Sequence, residues 1–248
     1  MSGAALITGA ARRIGRVLAV QAARSGFDVA VHHRDSPEDA GETAALVRAE
    51  GRRAIVLAGD LTDPDIARLI RETTASLGPT TLLVNNASLF LEDRFETFDA
   101  AGLDAHMATN VRAPALLAQA LAAGLPADRA GLVVNILDQR VWRPNPQFFG
   151  YSLSKAALWH ATRTMAQALA PRIRVNAIGP GPTFGSLHQA AGEFEQEAAG
   201  TPLGRAVTPE DIAGALRYLI DAKAVTGQMI AVDSGQHLAW RTPDIIHP

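Results

Sequence analysis

The stretch TGAARRIG, residues 8–15, joins a short apolar run at Ala4–Thr8 to a helical pattern at Ile14–Ser25. Two glycines stand near the ends of this stretch, and each has a separate task. Gly9 allows the sharp turn that follows a strand, and Gly15 lets the helix lie close to the sheet. The order of strand, tight turn and helix predicts the first unit of an α/β fold.

The start of this first helix is also a candidate anion site. Its exposed N–H groups and the helix dipole favour negative charge, and Arg12 and Arg13 place two cations beside it. Gly9, Ile14 and Gly15 complete the set of residues that we expect around a phosphate group. The alternative interpretation is a tight turn that carries two surface arginines.

Strand and helix patterns alternate along the rest of the chain. Such alternation predicts parallel pairing with right-handed crossovers. Seven strands and six helices fit a single Rossmann-type domain over residues 1–248, a doubly wound sheet with helices on both faces that binds ligands beyond the carboxyl ends of its strands. We expect further strands at Phe27–His32, Ala54–Ala58, Thr81–Asn85, Leu132–Ile136, Ile173–Ile178 and Met229–Val232, and further helices near Glu38–Glu50, Asp65–Ser76, Ala100–Ala123, Tyr151–Leu169 and Pro209–Asp221.

The bulk composition excludes several classes of protein. A net charge of −2 without a long basic run argues against nucleic acid as a partner. The chain has no cysteine, and its seven histidines lack metal-ligand spacing, so we expect neither disulfides nor a metal. It also lacks a signal-peptide pattern and an apolar stretch of about 18 residues, the length that spans a membrane. We expect a cytoplasmic protein that acts on a small molecule.

The end of the second strand bears on the choice of cofactor. In this fold an acidic residue there binds the ribose 2′-hydroxyl of NAD, whereas an arginine accommodates the 2′-phosphate of NADP. This chain has His33, Arg34 and Ser36 at that place, and a guanidinium binds a phosphate in a bidentate manner. The residues favour NADPH. Asp35 leaves NADH open, and a solvated turn at Arg34 and Asp35 is the other interpretation.

Five further motifs follow in a fixed order along the chain. Together with the first turn they resemble the short-chain dehydrogenase/reductase superfamily over essentially the whole chain. A Tyr-x-x-x-Lys pair alone is common by chance, but the ordered set is highly specific. The motifs are Asp60-Leu61, Asn85-Asn86-Ala87-Ser88, Asn110, Tyr151-Ser152-Leu153-Ser154-Lys155 and Pro180-Gly181-Pro182-Thr183.

The Tyr151–Lys155 pair is the expected centre of the chemistry. The two residues are four positions apart and therefore share one helix face. A free phenol has a pKa of about 10, and a nearby ammonium lowers it, so Tyr151 can act as a general acid in a reduction. The resemblance implies that Lys155 also holds the nicotinamide ribose and that Asn110 supports a proton-relay water.

The resemblance assigns the remaining motifs to the cofactor. It implies that Asp60 and Leu61 hold the adenine, and that Pro180, Gly181 and Thr183 lie at the nicotinamide end. Asn86, Ala87 and Ser88 would lie along the ribose region. It also implies a homotetramer, in which Trp240 and the C-terminal residues Arg241–Pro248 reach a neighbouring subunit.

Three departures from the usual superfamily pattern point to one branch. Asp138 stands thirteen residues before Tyr151, where a catalytic serine is usual, Arg13 replaces a glycine of the first turn, and the usual Asn-Asn-Ala-Gly ends in Ser88. These changes resemble the pteridine reductases and the bacterial dihydromonapterin/dihydrofolate reductases. That branch implies that Phe90 stacks on a flat pterin, that Arg13 and Ser88 line the same pocket, and that Asp138 orients Tyr151.

An aspartate at position 138 suits a nitrogen heterocycle better than a ketone. A serine hydroxyl donates a hydrogen bond to a carbonyl oxygen, whereas a carboxylate repels the negative charge that develops there. Beside a C=N bond, a carboxyl group can instead help to deliver a proton. Alternatively, Asp138 forms a salt bridge with Arg140 or Arg143 and the substrate is an ordinary carbonyl compound.

Three functions therefore remain open. The first is an NADPH-dependent pterin reductase, the second an NADPH-dependent carbonyl reductase or alcohol dehydrogenase, and the third a cofactor-binding regulatory protein without turnover. The Asn110, Tyr151 and Lys155 set argues against the third. A loop near residues 180–208, with a weak helix at Gln189–Ala199, is expected to shape substrate choice. Its pocket-facing candidates are Phe184, Leu187, His188 and Phe194, and Trp142, Phe148 and Phe149 are further candidates before Tyr151.

Overall fold

A seven-stranded parallel sheet runs through the described part of the chain, residues 3–185 and 192–240 of a computed structural model. The strand order is β3-β2-β1-β4-β5-β6-β7, so the order reverses between β1 and β4. The expected doubly wound α/β fold is confirmed. The strands are β1 (Gly3–Ile7), β2 (Phe27–His33), β3 (Ala54–Ala58), β4 (Thr80–Asn85), β5 (Gly131–Ile136), β6 (Ile173–Pro180) and β7 (Met229–Val232).

Helices cover both faces of this sheet. The residues of β1 show the division, because Ala5 and Ile7 face one layer, and Ala4 and Leu6 face the other. The first layer is packed by α1, α2 and α8, and the second by α3, α5 and α6. The helices are α1 (Arg13–Arg24), α2 (Pro37–Ala49), α3 (Arg68–Leu77), α4 (Ala100–Met107), α5 (Ala113–Gly124), α6 (Phe149–Leu169), α7 (Glu193–Ala199) and α8 (Pro209–Asp221).

The long helix expected over Ala100–Ala123 is interrupted. A π-helical turn, Ala108–Arg112, separates α4 from α5. Pro114 has no N–H to donate to the carbonyl group of Asn110, four residues earlier, so regular α-helical pairing fails at this point. The irregular turn carries Asn110, one of the expected site residues.

Two other helices begin more than two residues later than expected. Helix α3 begins at Arg68 rather than Asp65, because the preceding residues form turns held by Asp60 and Asp63. Helix α7 occupies the later part of the weak helix expected at Gln189–Ala199. The expected pocket residues Leu187 and His188 and the C-terminal residues Arg241–Pro248 lie outside the described residues.

The described residues contain neither a candidate membrane-spanning helix nor a candidate metal site. None of their helices is both long and apolar enough to span a membrane. Among the same residues, no group of three or more histidine, aspartate or glutamate side chains is arranged to hold a metal ion.

Candidate active site

A cleft of about 1260 Å³ lies beyond the carboxyl ends of the central strands. It brings together expected site residues from seven separate stretches of sequence, as a doubly wound sheet requires. Of the residues expected to act in catalysis or to bind the cofactor, Asn110 alone does not line it. The expected residues along its walls are Gly9, Arg12, Arg13, Ile14, Gly15, His33, Arg34, Ser36, Asp60, Leu61, Asn86, Ala87, Ser88, Phe90, Asp138, Tyr151, Lys155, Pro180, Gly181 and Thr183.

Tyr151 and Asp138 are in direct contact. The Tyr151 hydroxyl donates a hydrogen bond of 3.0 Å to Asp138 Oδ2. The other oxygen of this carboxylate accepts 2.8 Å from the backbone N–H of Arg140, which caps a short 3₁₀ turn. No ion pair joins Asp138 to Arg140 or Arg143 in the described structure, so the salt bridge of the alternative interpretation is not formed.

Lys155 lies one helical turn beyond Tyr151 and is almost fully buried, 2% exposed. Its ammonium donates 2.8 Å to the carbonyl group of Ile136 at the end of β5. The same nitrogen lies 5.5 Å from the centre of the Tyr151 ring. The shared helix face of the two residues is therefore present in the structure.

The charges around the phenol differ from the sequence-based expectation. Burial, and then the charge and hydrogen bond of Asp138, raise the pKa of Tyr151 well above its usual value of 10. We expected Lys155 to lower that pKa, but Arg140 is the cation that opposes the rise. Burial lowers the pKa of Lys155 itself to about 8, and the charge of Asp138 partly offsets this effect.

Asn110 acts on neighbouring backbone rather than on the cleft. Its amide oxygen accepts 2.8 Å from the N–H of Leu89, and its amide nitrogen donates 3.0 Å to the carbonyl group of Leu89. The same nitrogen donates 2.9 Å to Ser154 Oγ, and Ser154 donates 2.7 Å to the carbonyl of Tyr151. The Asn110 side chain therefore connects the segment that carries Phe90 to the helix that carries Tyr151.

Phe90 lies in the cleft and packs against two other rings. It is stacked on Phe148 with ring centres 4.2 Å apart, and it meets the Tyr151 ring edge-on at 4.7 Å. The guanidinium of Arg140 lies 5.1 Å from the Phe148 ring centre. This cluster gives the site an aromatic wall directly beside the phenol.

The first turn is shaped to leave backbone donors available for an anion. Helix α1 has no side-chain cap and no acidic residue in its first turn, so its first N–H groups lack the usual partners. A Cβ atom on Gly15 would lie 2.1 Å from the carbonyl oxygen of Gly9. Asn86 holds this turn from β4, because its amide nitrogen donates to the carbonyls of Thr8 and Gly9 at 2.9 and 3.0 Å.

Positive charge gathers at the end of β2. Arg12 donates 2.8 Å to Ser36 Oγ and lies 3.4 Å from the carboxylate of Asp39. Arg34 is exposed and forms an ion pair of 2.6 Å with Asp35. Arg12, Arg34 and Ser36 thus line one end of the cleft, while His33 accepts 3.2 Å from the N–H of Ser36 and supports the turn.

His32 is a cleft residue that the sequence analysis did not assign. Its Nδ1 atom accepts 3.1 Å from the N–H of Gly9, and its Nε2 atom lies 3.0 Å from the carbonyl oxygen of Gly59. Burial lowers the pKa of His32 to about 4. The neutral ring therefore joins the first turn to the end of β3, and its place directly before His33 at a strand end was the available sequence signal.

The aromatic candidates near the cleft divide into two groups. Phe148 and Phe184 line it, whereas Trp142, Phe149 and Phe194 do not. The guanidinium of Arg13 lies 5.0 Å from the Phe184 ring centre and donates 3.4 Å to the carbonyl group of Gly185. Arg13 therefore contacts the start of the substrate loop.

Sequence reasoning missed several polar residues along the cleft. They sit on loops, in short 3₁₀ turns or on α7, where neither periodicity nor a motif marks them. Arg140 stands two positions after Asp138, which was the nearest available signal. The missed residues are Glu92, Asp93, Arg94, Gln139, Arg140, Glu193, Glu197 and Gln236.

Comparisons with known proteins match nearly the whole chain. A family model described as enoyl-(acyl carrier protein) reductase matches residues 9–237. Among solved structures, the FolM alternative dihydrofolate reductase 1 from Brucella suis, in complex with NADP, is 48% identical with a TM-score of 0.94, and the alignment covers 98% of each chain.

Two curated relatives extend this comparison. An uncharacterised oxidoreductase of Mycobacterium tuberculosis is 36% identical over 93% of this chain and 90% of its own. A 3-oxoacyl-[acyl-carrier-protein] reductase, FabG, of Staphylococcus aureus is 30% identical over 96% of this chain and 99% of its own. The relatives therefore include both a dihydrofolate reductase and a carbonyl reductase.

Proposed function

Because the chain belongs to the short-chain dehydrogenase/reductase superfamily and is an oxidoreductase, we propose that it reduces a C=N bond of a dihydropterin with NADPH. The observation that carries this proposal is the 3.0 Å hydrogen bond from Tyr151 to Asp138 beside the ring of Phe90. The similarity to a dihydrofolate reductase crystallised with NADP supports both the cofactor and the substrate class.

The Asp138 carboxylate favours a nitrogen acceptor over a carbonyl oxygen. It already accepts a hydrogen bond from the Tyr151 hydroxyl. Reduction of a ketone at this hydroxyl would develop an alkoxide beside the carboxylate, and the two negative charges would repel each other. Reduction of a C=N bond places the new proton on nitrogen, so no oxyanion develops beside the carboxylate. The geometry is therefore better matched to a heterocycle nitrogen.

The residues of the first turn fit a dinucleotide cofactor. The uncapped start of α1 and the close packing at Gly15 suit a pyrophosphate. Arg12, Arg34 and Ser36 would hold a 2′-phosphate. Asp60 and Leu61 would lie at the adenine, with Asn86, Ala87 and Ser88 along the ribose region and Pro180, Gly181 and Thr183 at the nicotinamide end.

NADPH, when bound, would supply the hydride for the substrate carbon. Tyr151 supplies the matching proton to the ring nitrogen, which completes the conversion of C=N to CH–NH. Asp138 orients the phenol through their hydrogen bond and takes part in reprotonating the phenolate after the transfer. Lys155 adds positive charge near the Tyr151 ring and would hold the nicotinamide ribose. Asn110 fixes the backbone on both sides of the site.

Phe90, Arg13 and Ser88 are the proposed substrate residues beside Asp138 and Tyr151. Phe90 offers a flat apolar surface to a pterin. Arg13 reaches from the first turn to Phe184, so it borders both the phosphate end and the substrate loop. Ser88 Oγ lies 3.2 Å from Asn110 Oδ1, and its hydroxyl lines the cleft.

A carbonyl reductase is the second candidate, and the 30% identity to FabG favours it. The two candidates share the cofactor and Tyr151, so they differ in the substrate's acceptor atom. A ketone substrate requires Asp138 to be protonated or displaced during the reaction, because its charge opposes an oxyanion.

A substrate panel separates the two candidates. Purified enzyme with NADPH is assayed against dihydrobiopterin, dihydromonapterin, dihydrofolate, a 3-oxoacyl thioester and simple ketones, and the loss of NADPH absorbance is followed. We expect the highest kcat/KM with one of the dihydropterins and inhibition by methotrexate. A kcat/KM for a ketone that exceeds every pterin value would establish the second candidate instead.

We also propose that the enzyme is a cytoplasmic homotetramer, as is usual in the superfamily. Light scattering on the purified full-length chain gives the mass directly. A mass of one or two chains at micromolar concentration would reject the tetramer without affecting the proposed reaction.

A further inference from the structure

We propose that Asp93 is a positioning residue that fixes the first turn of α6 and thereby holds Tyr151 against Asp138. This inference uses the proposed function only in taking Tyr151 as the proton donor. Asp93 lies on the segment after β4, far from α6 in sequence, and no motif marks it.

The carboxylate of Asp93 binds the start of α6 directly. The N–H of Gly150 donates to both of its oxygens, at 3.1 and 3.0 Å. The backbone carbonyl of Asp93 accepts 3.0 Å from the N–H of Phe148. Three contacts from one residue thus reach the two positions that flank the first residue of the helix, immediately before Tyr151.

Helix α6 lacks a cap from its own sequence. Phe148, at the N-cap position, makes no side-chain cap, and the first turn contains no acidic residue. Asp93 supplies from another segment both the acceptor and the negative charge that stabilise a helix start. Removing its carboxylate leaves the Gly150 N–H without these acceptors.

The backbone at this junction is closely constrained. Phe148 has φ 54°, a left-handed conformation that a bulky residue rarely adopts. A Cβ atom on Gly150 would lie 2.7 Å from Asp93 Oδ2 and 3.0 Å from the ring of His106. The contact with Asp93 therefore holds a strained turn in a position that leaves little room for adjustment.

The segment that carries Asp93 is itself anchored. Asn110 binds both backbone groups of Leu89, and the buried ring of His106 accepts 3.3 Å from the N–H of Leu91. Phe90 lies between these two anchors. Asp93 thus links the proposed substrate residue Phe90 to the helix of Tyr151, so that one rigid unit sets the distance between substrate and proton donor.

Three variants test this role. Asp93→Ala removes both acceptors, Asp93→Asn keeps one oxygen and removes the charge, and Glu96→Ala changes an exposed acidic residue on the same segment as a control. Each full-length protein is assayed with NADPH and the best substrate of the panel. Amide hydrogen exchange is measured for the peptide over residues 146–155.

We expect Asp93→Ala to lose about tenfold or more in kcat, because small displacements of a proton donor are costly. NADPH binding should stay within about twofold of the wild type, since the phosphate-binding turn at residues 8–15 is untouched and Lys155, one helical turn beyond Tyr151, keeps its own anchor on the carbonyl of Ile136. Asp93→Asn should lose less, and Glu96→Ala should behave as the wild type. Exchange of the 146–155 peptide should be fastest in Asp93→Ala.

The pH dependence of kcat gives a second readout. Burial and Asp138 hold the pKa of Tyr151 high. A displaced, better-hydrated phenol has a lower pKa, so Asp93→Ala should lose activity at a lower pH on the alkaline side than the wild type. A purely structural lesion would reduce kcat at all pH values equally.

Two results would overturn the inference. The first is wild-type kcat and wild-type hydrogen exchange in Asp93→Ala. The second is a loss of NADPH affinity and of thermal stability together with the loss of kcat, which would mean general damage to the fold. If the enzyme prefers a ketone, the proposed pterin function fails while the same variants are tested on that ketone. If nothing is turned over, hydrogen exchange alone decides.

Discussion

Asp138 is the residue on which the choice of substrate depends. The sequence placed it at the position of a superfamily serine, and the structure places its carboxylate 3.0 Å from the Tyr151 hydroxyl. The superfamily resemblance pointed to Asp138, whereas the four-residue spacing of Tyr151 and Lys155 placed both on one helix face. Arg140 and Asp93 could not be predicted, since loop geometry alone decides where their side chains point.

Removing the carboxylate tests this role. We expect Asp138→Ala to lose more than about tenfold in kcat with a dihydropterin, because the phenol loses its orienting acceptor. Asp138→Ser, which restores the usual superfamily residue, should raise the ratio of ketone to pterin turnover. Steady-state kinetics measure both, with Asp128→Ala as a control at an exposed aspartate. Near-normal pterin turnover in Asp138→Ala would remove Asp138 from the mechanism.

Because Lys155 changes its charge near neutral pH, we expect productive binding of NADPH to depend on pH. Its pKa is lowered to about 8 by burial, so the side chain is charged below that pH and neutral above it. Because kcat/KM reports the free enzyme, kcat/KM for NADPH should fall as the pH rises through about 8.

An arginine variant isolates this effect. Lys155→Arg stays charged throughout this range, so it should be less active but lose the decline near pH 8. The same decline in Lys155→Arg would assign it to another group.

Titration of His32, which joins the turn at residues 8–15 to the end of β3, should make the stability of the fold depend on pH. Its pKa is about 4 in the fold and 6.5 as a free side chain. As the pH falls, the unfolded chain therefore binds a proton on His32 before the folded chain does. The contribution of His32 to stability is complete above pH 6.5 and is lost as the pH falls towards 4. The free energy of unfolding is therefore expected to fall by about 2 kcal/mol by pH 5.

Urea unfolding at pH 7.5 and pH 5 measures this loss. His32→Asn keeps an acceptor near the Nδ1 position but does not titrate, so its stability should fall less between the two values. An equal fall in the variant and the wild type would show that His32 is not responsible.

The end of β2 should determine which cofactor is preferred. Arg34→Asp places a carboxylate where a 2′-phosphate is expected, so the NADPH to NADH ratio of kcat/KM should drop about tenfold or more. Arg129→Asp, at another exposed arginine beside an aspartate, is the matched control and should leave the ratio unchanged. Undiminished NADPH preference in Arg34→Asp would assign the phosphate to Arg12 and Ser36 alone.

Most elements could be predicted because buried strands and amphipathic helices leave a periodic pattern. Strand β3 and helix α8 lie where the sequence predicted them. The interruption of the helix at Ala108–Arg112 was missed although its cause, the missing N–H of Pro114, is visible in the sequence. The start of α3 was misplaced because aspartate-held turns resemble a first helical turn in composition.

The whole molecule assembles one site from segments spread over most of the chain. The central strands bring the turn at residues 8–15, the segment after β4 and the start of α6 together at the carboxyl ends of the strands. This convergence follows from the doubly wound topology, so the position of the site could be predicted from strand order alone. The walls formed by loops and by α7 depend on long-range packing, which no local pattern encodes.

A crystal structure with NADP and a bound dihydropterin tests the central claim most directly. We expect the heterocycle against the ring of Phe90, with a ring nitrogen within about 3 Å of the Tyr151 hydroxyl and Asp138 on the same side. A pterin that binds elsewhere, or one whose ring nitrogens lie beyond hydrogen-bond reach of both residues, would contradict the proposed reaction.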